Sequence, residues 1–222
     1  PLSVGHGRNA ADGDVIANVY AAIGYTVTRE YYFNDAGNQM NVLARSVRSR
    51  YRQLLGENEQ LEEQGYQGDY IIDIARQIVQ ERGDALRDGD HLEVFKSYAV
   101  AATFDMIKHT LERMGVVHDE YFNEHSLYTS GKIAATLADI AARGLSYEKD
   151  GAVWFKATAF GAEKDRVLVK ATGEPTYRLP DIAYHRDKFA RGYDQLINVF
   201  GADHLTTYPD VLACLKALDY DT

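Results

Sequence analysis

Apolar residues recur at helical spacing through most of the first half of the chain. Val15, Ile16, Val19, Tyr20 and Ile23 share one face, and Gly24 closes that stretch where a left-handed backbone ends helices. Before it, residues 1–9 (PLSVGHGRN) read as a Gly-containing turn. After it, residues 26–33 (TVTREYYF) are β-branched and aromatic and read as a strand. Turn, helix and strand in that order are most of a βαβ crossover, which predicts a parallel sheet. Met40, Leu43, Val47, Tyr51 and Leu54 form the stripe of a second helix, with Arg45, Arg48 and Arg52 on another side of it. Residues 56–68 are acidic and without period, hence a loop. Helices are predicted over 70–82, with Ile71, Ile74 and Ile78 in line, and over 91–114, with Leu92, Phe95, Ala99, Ala102 and Met106 inward.

The character changes near Val116. Residues 117–122 read as a short strand and 130–143 as a helix with Ile133, Leu137 and Ile140 inward, closed by Gly144. Short extended pieces follow, LSYE, AVWFKA and RVLVK, the first two joined by Asp150–Gly151, a hairpin signal. A small antiparallel patch inserted into an α/β frame is expected. The chain then returns to α/β character: a helix over 181–190, a buried strand over 195–200 (QLINVF) and a helix over 208–218.

Composition narrows the class. With 222 residues, 45% of them hydrophobic, the chain can bury a core. Sixteen Tyr against one Trp favour surfaces that hydrogen-bond while they pack. The single Cys214 excludes an internal disulfide framework and a Cys-rich zinc site, and between Leu212 and Leu215 it reads as a buried structural residue. Nothing in the pattern points to a metal site. No apolar run approaches the ~20 residues of a membrane span and no signal-peptide pattern opens the chain, so no membrane partner and a reducing, cytoplasmic setting are expected. A net charge of −9 argues against a general nucleic-acid coat while leaving room for a local basic surface. The chain begins with Pro1 and with a loop whose preceding strand is missing, which reads as a fragment of a longer protein.

Three clusters carry candidate chemistry. In Val4-Gly5-His6-Gly7, glycines beside a His at the entrance to a helix let the backbone approach a phosphate. The helix N-terminus then supplies unpaired N–H groups, and the His can donate as charge builds on phosphate oxygens. Gly201-Ala202-Asp203-His204 follows an apolar run, where open α/β sheets bind ligands; the Gly permits close approach and the Asp suits ribose hydroxyls. In Glu174-Pro175-Thr176-Tyr177-Arg178-Leu179-Pro180-Asp181, Tyr177 and Asp181 are four apart and share a helix face. A carboxylate beside a phenol is what a cationic side chain needs. Each cluster also has a plain reading, respectively a tight turn, an N-cap Asp203 and an N-cap Asp181. Their order and spacing in one chain favour the chemical one.

PLSVGHGRN resembles the signature loop of class I aminoacyl-tRNA synthetases in its arginyl form. TREYYFNDAGNQ (28–39), KDRVLVKATGEPTYRLPDIAYHRDKF (164–189) and INVFGADH (197–204) follow as in that family, so the resemblance spans essentially the whole chain. It implies a Rossmann-like parallel sheet with a mixed α+β connective insertion. The Rossmann-like halves would occupy about 1–40 and 175–222, and the helical and connective insertion about 41–174. It further implies ATP-dependent activation of L-arginine and transfer to tRNA(Arg), with Mg2+-ATP as substrate and no bound prosthetic group. Ser3, Gly5, His6, Gly201, Asp203 and His204 would match the ATP side, with His6 catalytic, and Tyr177 and Asp181 the arginine side-chain pocket. Asn34, Asp35, Gly37 and Gln39 match a family signature that would order a loop or touch substrate. Lys164, Asp165 and Arg166 match a stretch that can be structural.

The sequence departs from that family at Ser3, where His is usual, and a Ser hydroxyl cannot carry charge. Against the family pattern the chain also lacks a Ser–x–Asn strand before Pro1, a lysine-containing loop after Thr222 and an anticodon-binding domain. The fragment alone is therefore expected to be weakly active or inactive. Arg45, Arg48 and Arg52 remain open between a solvated helix face and contact with the tRNA acceptor end. Two other functions compete. A small nucleotidyltransferase with the same Gly–His loop is opposed by the Tyr177–Asp181 pair and the long insertion. A non-catalytic nucleotide-binding fragment or paralogue fits the missing ends.

Overall fold

Helices α2 (Asn38–Leu54), α3 (Asp69–Arg82) and α4 (Leu92–Arg113) pack on one another because each carries an apolar stripe of period 3.6. Leu43, Ala44, Val47 and Tyr51 of α2 meet Ile71, Ile74, Ala75 and Ile78 of α3 and Phe95 and Ala99 of α4. Tyr51 is fully buried against Phe95, ring centres 5.2 Å apart. Its hydroxyl donates to the carbonyl of Gly83 and accepts from the amide of Leu86, so the polar end of the ring is satisfied inside the core. In this computed structural model, which describes residues 2–222 apart from the Asp203 side chain, these helices belong to one of two compact units. That unit comprises Phe33–Val117 with residues 2 and 3; the other comprises Val4–Tyr32 and His118–Thr222.

The second unit opens with α1 (Val4–Ala22) and β1 (Glu30–Phe33), and resumes with β2 (Glu120–Asn123), α5 (His125–Thr129) and α6 (Lys132–Ala142). β1 and β2 hydrogen-bond, and their aromatic side chains pair in step: Tyr31 with Tyr121 and Tyr32 with Phe122. Residue numbers rising together across the pair mean parallel strands, so the expected parallel sheet is present. The crossover between them contains the whole three-helix unit.

Strands β3 (Ser146–Lys149), β4 (Ala152–Phe155) and β5 (Arg166–Val169) form an antiparallel sheet in sequence order. Ser146 faces Phe155 and Lys149 faces Ala152 across the Asp150–Gly151 turn. Both turn residues have positive φ, 52° and 73°, as a two-residue hairpin of the primed type requires. Helices α7 (Arg178–Ala190) and α8 (Tyr208–Ala217) cover this region. Leu179 and Ile182 meet Val211, Cys214 and Leu215 in a core that also holds Ile140, Phe155 and Leu168. Burial pushes the Cys214 thiol up to about 12, as for a packing residue. Among the described residues no helix is long and apolar enough to cross a membrane.

Three expectations are corrected. Residues 4–9 are the first turns of α1 and not a loop. Two early glycines cost roughly 1 kcal/mol each against alanine, too little to stop a 19-residue helix that gains a hydrogen bond with every added residue. Residues 26–28 carry no strand pairing, which begins where the Arg29 carbonyl accepts from the amides of Asp119 and Glu120, and 195–200 form no ladder, with Ile197 and Phe200 both exposed. β-branched composition marks a residue that suits a pleated surface, and a strand needs a neighbour to pair with.

Candidate functional site

The chain enters α7 from a fixed corner. The Thr176 amide donates to the carbonyl of Leu168 and its hydroxyl to that of Val167, while Val169 bridges Pro175. Tyr177 is thereby held at the mouth of the helix, immediately before Arg178. Asp181, Tyr184, His185 and Lys188 follow at spacings of three, four and seven and share the face opposite Leu179 and Ile182.

Asp181 is the electrostatic centre of that face. It lies in the first turn of α7, where the helix dipole favours a negative charge by up to about 1 kcal/mol. Burial outweighs this: desolvation first, and repulsion from Glu124 second, push its carboxyl up to about 7, with Lys188 opposing. Tyrosines surround the two acids. The phenols of Tyr32, Tyr128, Tyr177 and Tyr208 all rise through burial and all feel Asp181; those of Tyr32 and Tyr128 feel Glu124 as well. Two carboxylates in an aromatic, poorly solvated setting have the chemistry to accept a cation.

Behind Asp181 the face is tied to the segment that precedes Gly201. Lys188 donates to the side-chain oxygen of Asn198, whose amide donates to the Tyr208 hydroxyl at 3.0 Å. The Lys188 ammonium stands 4.4 Å from the centre of the Tyr184 ring and is pushed by burial down to about 8. Tyr184 donates to Glu30, which Arg191 also engages. His185 is buried and forced down to about 4 by desolvation, so it is neutral at pH 7. Its Nδ1 lies 2.8 Å from the Asp181 carbonyl, which makes Nδ1 the donor. Rings at 4.7–5.7 Å continue from His185 to Tyr208, Phe200 and His204.

The sequence-predicted residues divide between places. Tyr177, Asp181 and His204 belong to this connected face. Gly201 directly precedes a 3₁₀ turn at Ala202–Thr206, and the Asp203 side chain lies outside the described residues. Gly5 and His6 occupy the exposed first turn of α1, with Ser3 just before it. Gly13 of the same helix meets Val199: a Cβ there would sit 3.7 Å from the valine methyl. His6 and Gly13 are seven residues apart, so they fall on one face about 10 Å apart along the axis. The His6 face of α1 is thus the face turned to the 195–200 segment.

Asn34, Asp35 and Gly37 form the turn from β1 into α2, with Gly37 at φ 84°, and Gln39 lies in the first turn of α2. Arg45 pairs with Glu62 at 2.6 Å and Arg52 with Glu59 at 3.1 Å, while Ser49 also donates to Glu59. The acidic 56–68 loop is therefore folded onto the basic face of α2. Arg48 is half-buried on that face. Sequence reasoning missed Glu124, Tyr32, Tyr128, Lys188 and Asn198. Only Glu124 carried a usable signal, since it stands just past a strand, where ligands of parallel sheets gather. Among the described residues no group of three or more His, Cys, Asp or Glu side chains comes together to hold a metal ion.

The family model described as the catalytic domain of class I (R) tRNA synthetases matches residues 1–222. The arginine–tRNA ligase of Desulfotalea psychrophila is 55% identical over 221 residues, all of this chain and 40% of that protein. That of Salinibacter ruber is 52% identical over 238 residues, with 42% of its length covered. The chain thus spans about two fifths of these relatives. A crystal structure of an arginyl-tRNA synthetase from Campylobacter jejuni superposes over the whole chain and 49% of its own, with TM-score 0.92 and 36% identity. The Plasmodium falciparum enzyme, 15% identical with TM-score 0.72, shares the fold. A family model that matches the chain from end to end, on a fold shared with these enzymes, shows the family: this chain belongs to the catalytic domains of the class I arginyl-type tRNA synthetases.

Proposed function

We propose that the protein containing this chain activates L-arginine with Mg2+-ATP and passes the arginyl group to tRNA(Arg), in the cytoplasm. The observation that carries the reading is the desolvated Asp181 carboxyl beside Glu124 and four tyrosines. A guanidinium is planar, permanently charged and forked, so it satisfies one carboxylate bidentately, stacks on a ring and keeps further donors for a second acid. In the first step an arginine carboxylate oxygen attacks the α-phosphorus of ATP. The new P–O bond gives arginyl-adenylate, and the bond to the β-phosphate oxygen breaks with pyrophosphate taking the electron pair. The terminal adenosine hydroxyl of tRNA then displaces AMP.

The chain's own contributions follow from position. Asp181 and Tyr177 hold the guanidinium. Gly5 and His6 at the N-terminus of α1, with Ser3, bind and polarise the phosphates, and His6 is the donor that meets charge developing in the transition state. Gly201, Asp203 and His204 receive the nucleoside. Asn34, Asp35, Gly37 and Gln39, in the turn from β1 into α2, match the family signature and either order that loop or touch substrate. The ion pairs of Arg45 and Arg52 support an internal role for that stripe over tRNA contact.

Arginine-dependent, tRNA-supported pyrophosphate exchange by the full-length protein tests the reading. Turnover with arginine and none with lysine or citrulline is expected, and equal turnover with lysine would remove the guanidinium pocket from the argument. The isolated 222 residues should aminoacylate poorly or not at all.

A further inference from the structure

Asp210, in the first turn of α8, is 96% buried by its 4% side-chain exposure, yet it carries two ion pairs. Its oxygens accept from Nε of Arg166 at 2.7 Å and from Nε of Arg178 at 2.9 Å. One carboxylate thus joins the start of β5, the start of α7 and the start of α8. The same Arg178 lies over the ring of Tyr177, its guanidinium carbon 4.6 Å from the ring centre. Tyr177 itself is 48% exposed and precedes the helix, so little of the core restrains its ring.

We infer that Arg178 is a positioning residue for the arginine side-chain pocket: clamped by Asp210, its flat guanidinium fixes the Tyr177 ring beside Asp181. The inference rests on the pocket reading above and names what holds its exposed wall. Asp210 satisfies one edge of the Arg178 guanidinium and sets its plane, and stacking transfers that plane to the phenol ring. A ring already oriented loses less rotamer freedom when substrate arrives, so the clamp acts on arginine affinity and not on phosphate chemistry. A lysine at 178 would keep the charge and a bond to Asp210 but offers no plane to stack. Arg166 serves as the internal control, since it shares Asp210 and is placed on β5.

The experiment uses the full-length protein and measures arginine KM, ATP KM, kcat and melting temperature for five variants. Arg178→Gln should raise arginine KM by about three- to tenfold, with kcat and ATP KM within about twofold. Arg178→Lys should match it in KM while losing less stability. Arg166→Gln should lower the melting temperature about as much as Arg178→Gln and leave arginine KM unchanged. Tyr177→Ala should raise arginine KM, and Tyr177→Ala/Arg178→Gln should go no further, because the clamp works only through the ring. Equal KM effects of Arg166→Gln and Arg178→Gln, or a multiplied effect in the double variant, would overturn the inference. If Tyr177→Ala raises arginine KM and neither Arg178 variant does, the clamp alone falls. If Tyr177→Ala leaves arginine KM unchanged, the pocket reading falls and takes the clamp with it.

Discussion

Replacing Asp181 by Asn should push stability and arginine binding in opposite directions. The substitution keeps shape and removes charge. In the free protein the carboxyl is displaced from 3.8 to about 7 by burial and by Glu124. A rise of about three pH units corresponds to roughly 4 kcal/mol of cost to the folded state above pH 7, an upper figure because solvent and neighbours relax. The sign follows from the raised value: the ionised form is disfavoured on folding, so stability from this group is whole below about pH 4 and is lost as pH rises through about 7. Asp181→Asn escapes that loss. At pH 8 the variant should melt several degrees higher than the parent, and at pH 4 the gain should vanish. Arginine binding should suffer, because a guanidinium that paired with a buried carboxylate now meets a neutral amide. Losing one partner of such a pair costs roughly 3–5 kcal/mol when buried, a factor of several hundred or more in arginine KM. ATP KM should hardly move. Calorimetric melts at the two pH values and steady-state kinetics of the full-length protein read both effects. A lower melting temperature at pH 8, or an unchanged arginine KM, would refute the reasoning and return Asp181 to the role of a helix-start residue.

Arginine KM of the parent should fall about tenfold per unit as pH rises toward about 7 and then level, since a proton on Asp181 competes with the guanidinium; a flat profile from pH 5.5 to 8 contradicts this. His185, held down to about 4 by burial, contributes stability that is present above pH 6.5 and lost as pH falls to about 4, worth up to about 3 kcal/mol; His185→Gln should flatten the acid limb of a denaturant series. His6→Ala should lower kcat by about a hundredfold or more with arginine KM nearly unchanged, and a KM effect at constant kcat would move His6 out of the chemistry. Gly151→Ala should cost about 1 kcal/mol in thermal melts, because φ 73° strains a Cβ even though its nearest neighbour, the Ala171 methyl at 3.5 Å, leaves room.

The sequence-based expectations succeeded where one local rule decides the outcome. The stripes of α2, α3 and α4 needed only the period of 3.6, and the β3–β4 hairpin needed only two residues able to take positive φ. That Tyr177 and Asp181 stand one turn apart at the start of α7 was legible because four residues make a helical turn, and their shared role is the proposal above. Glu124 was harder, since it is brought to Asp181 by the β2–α5 connection and no spacing rule links residues so far apart. Lys188 carried no signal of its own in the sequence, and only the fold reveals a buried cation held by Asn198 and a tyrosine ring. The 26–28 and 195–200 segments misled for the converse reason. Their composition suits a pleated surface, but pairing is a property of neighbours that no single stretch contains.

The parallel pairing of β1 with β2 bears on how the chain is made. Residues 34–119 lie between the two strands, and closing a flexible loop of about that length costs roughly 4 kcal/mol of chain entropy. Helices α2–α4 assemble from contacts near in sequence, so they can condense while β2 is still being synthesised. Until it arrives, β1 (EYYF) stands as an aromatic strand without its β2 partner, which is a template for pairing with other chains. The inserted helical unit turns a long closure into a short one, and the speed with which it folds sets how long that edge stays exposed.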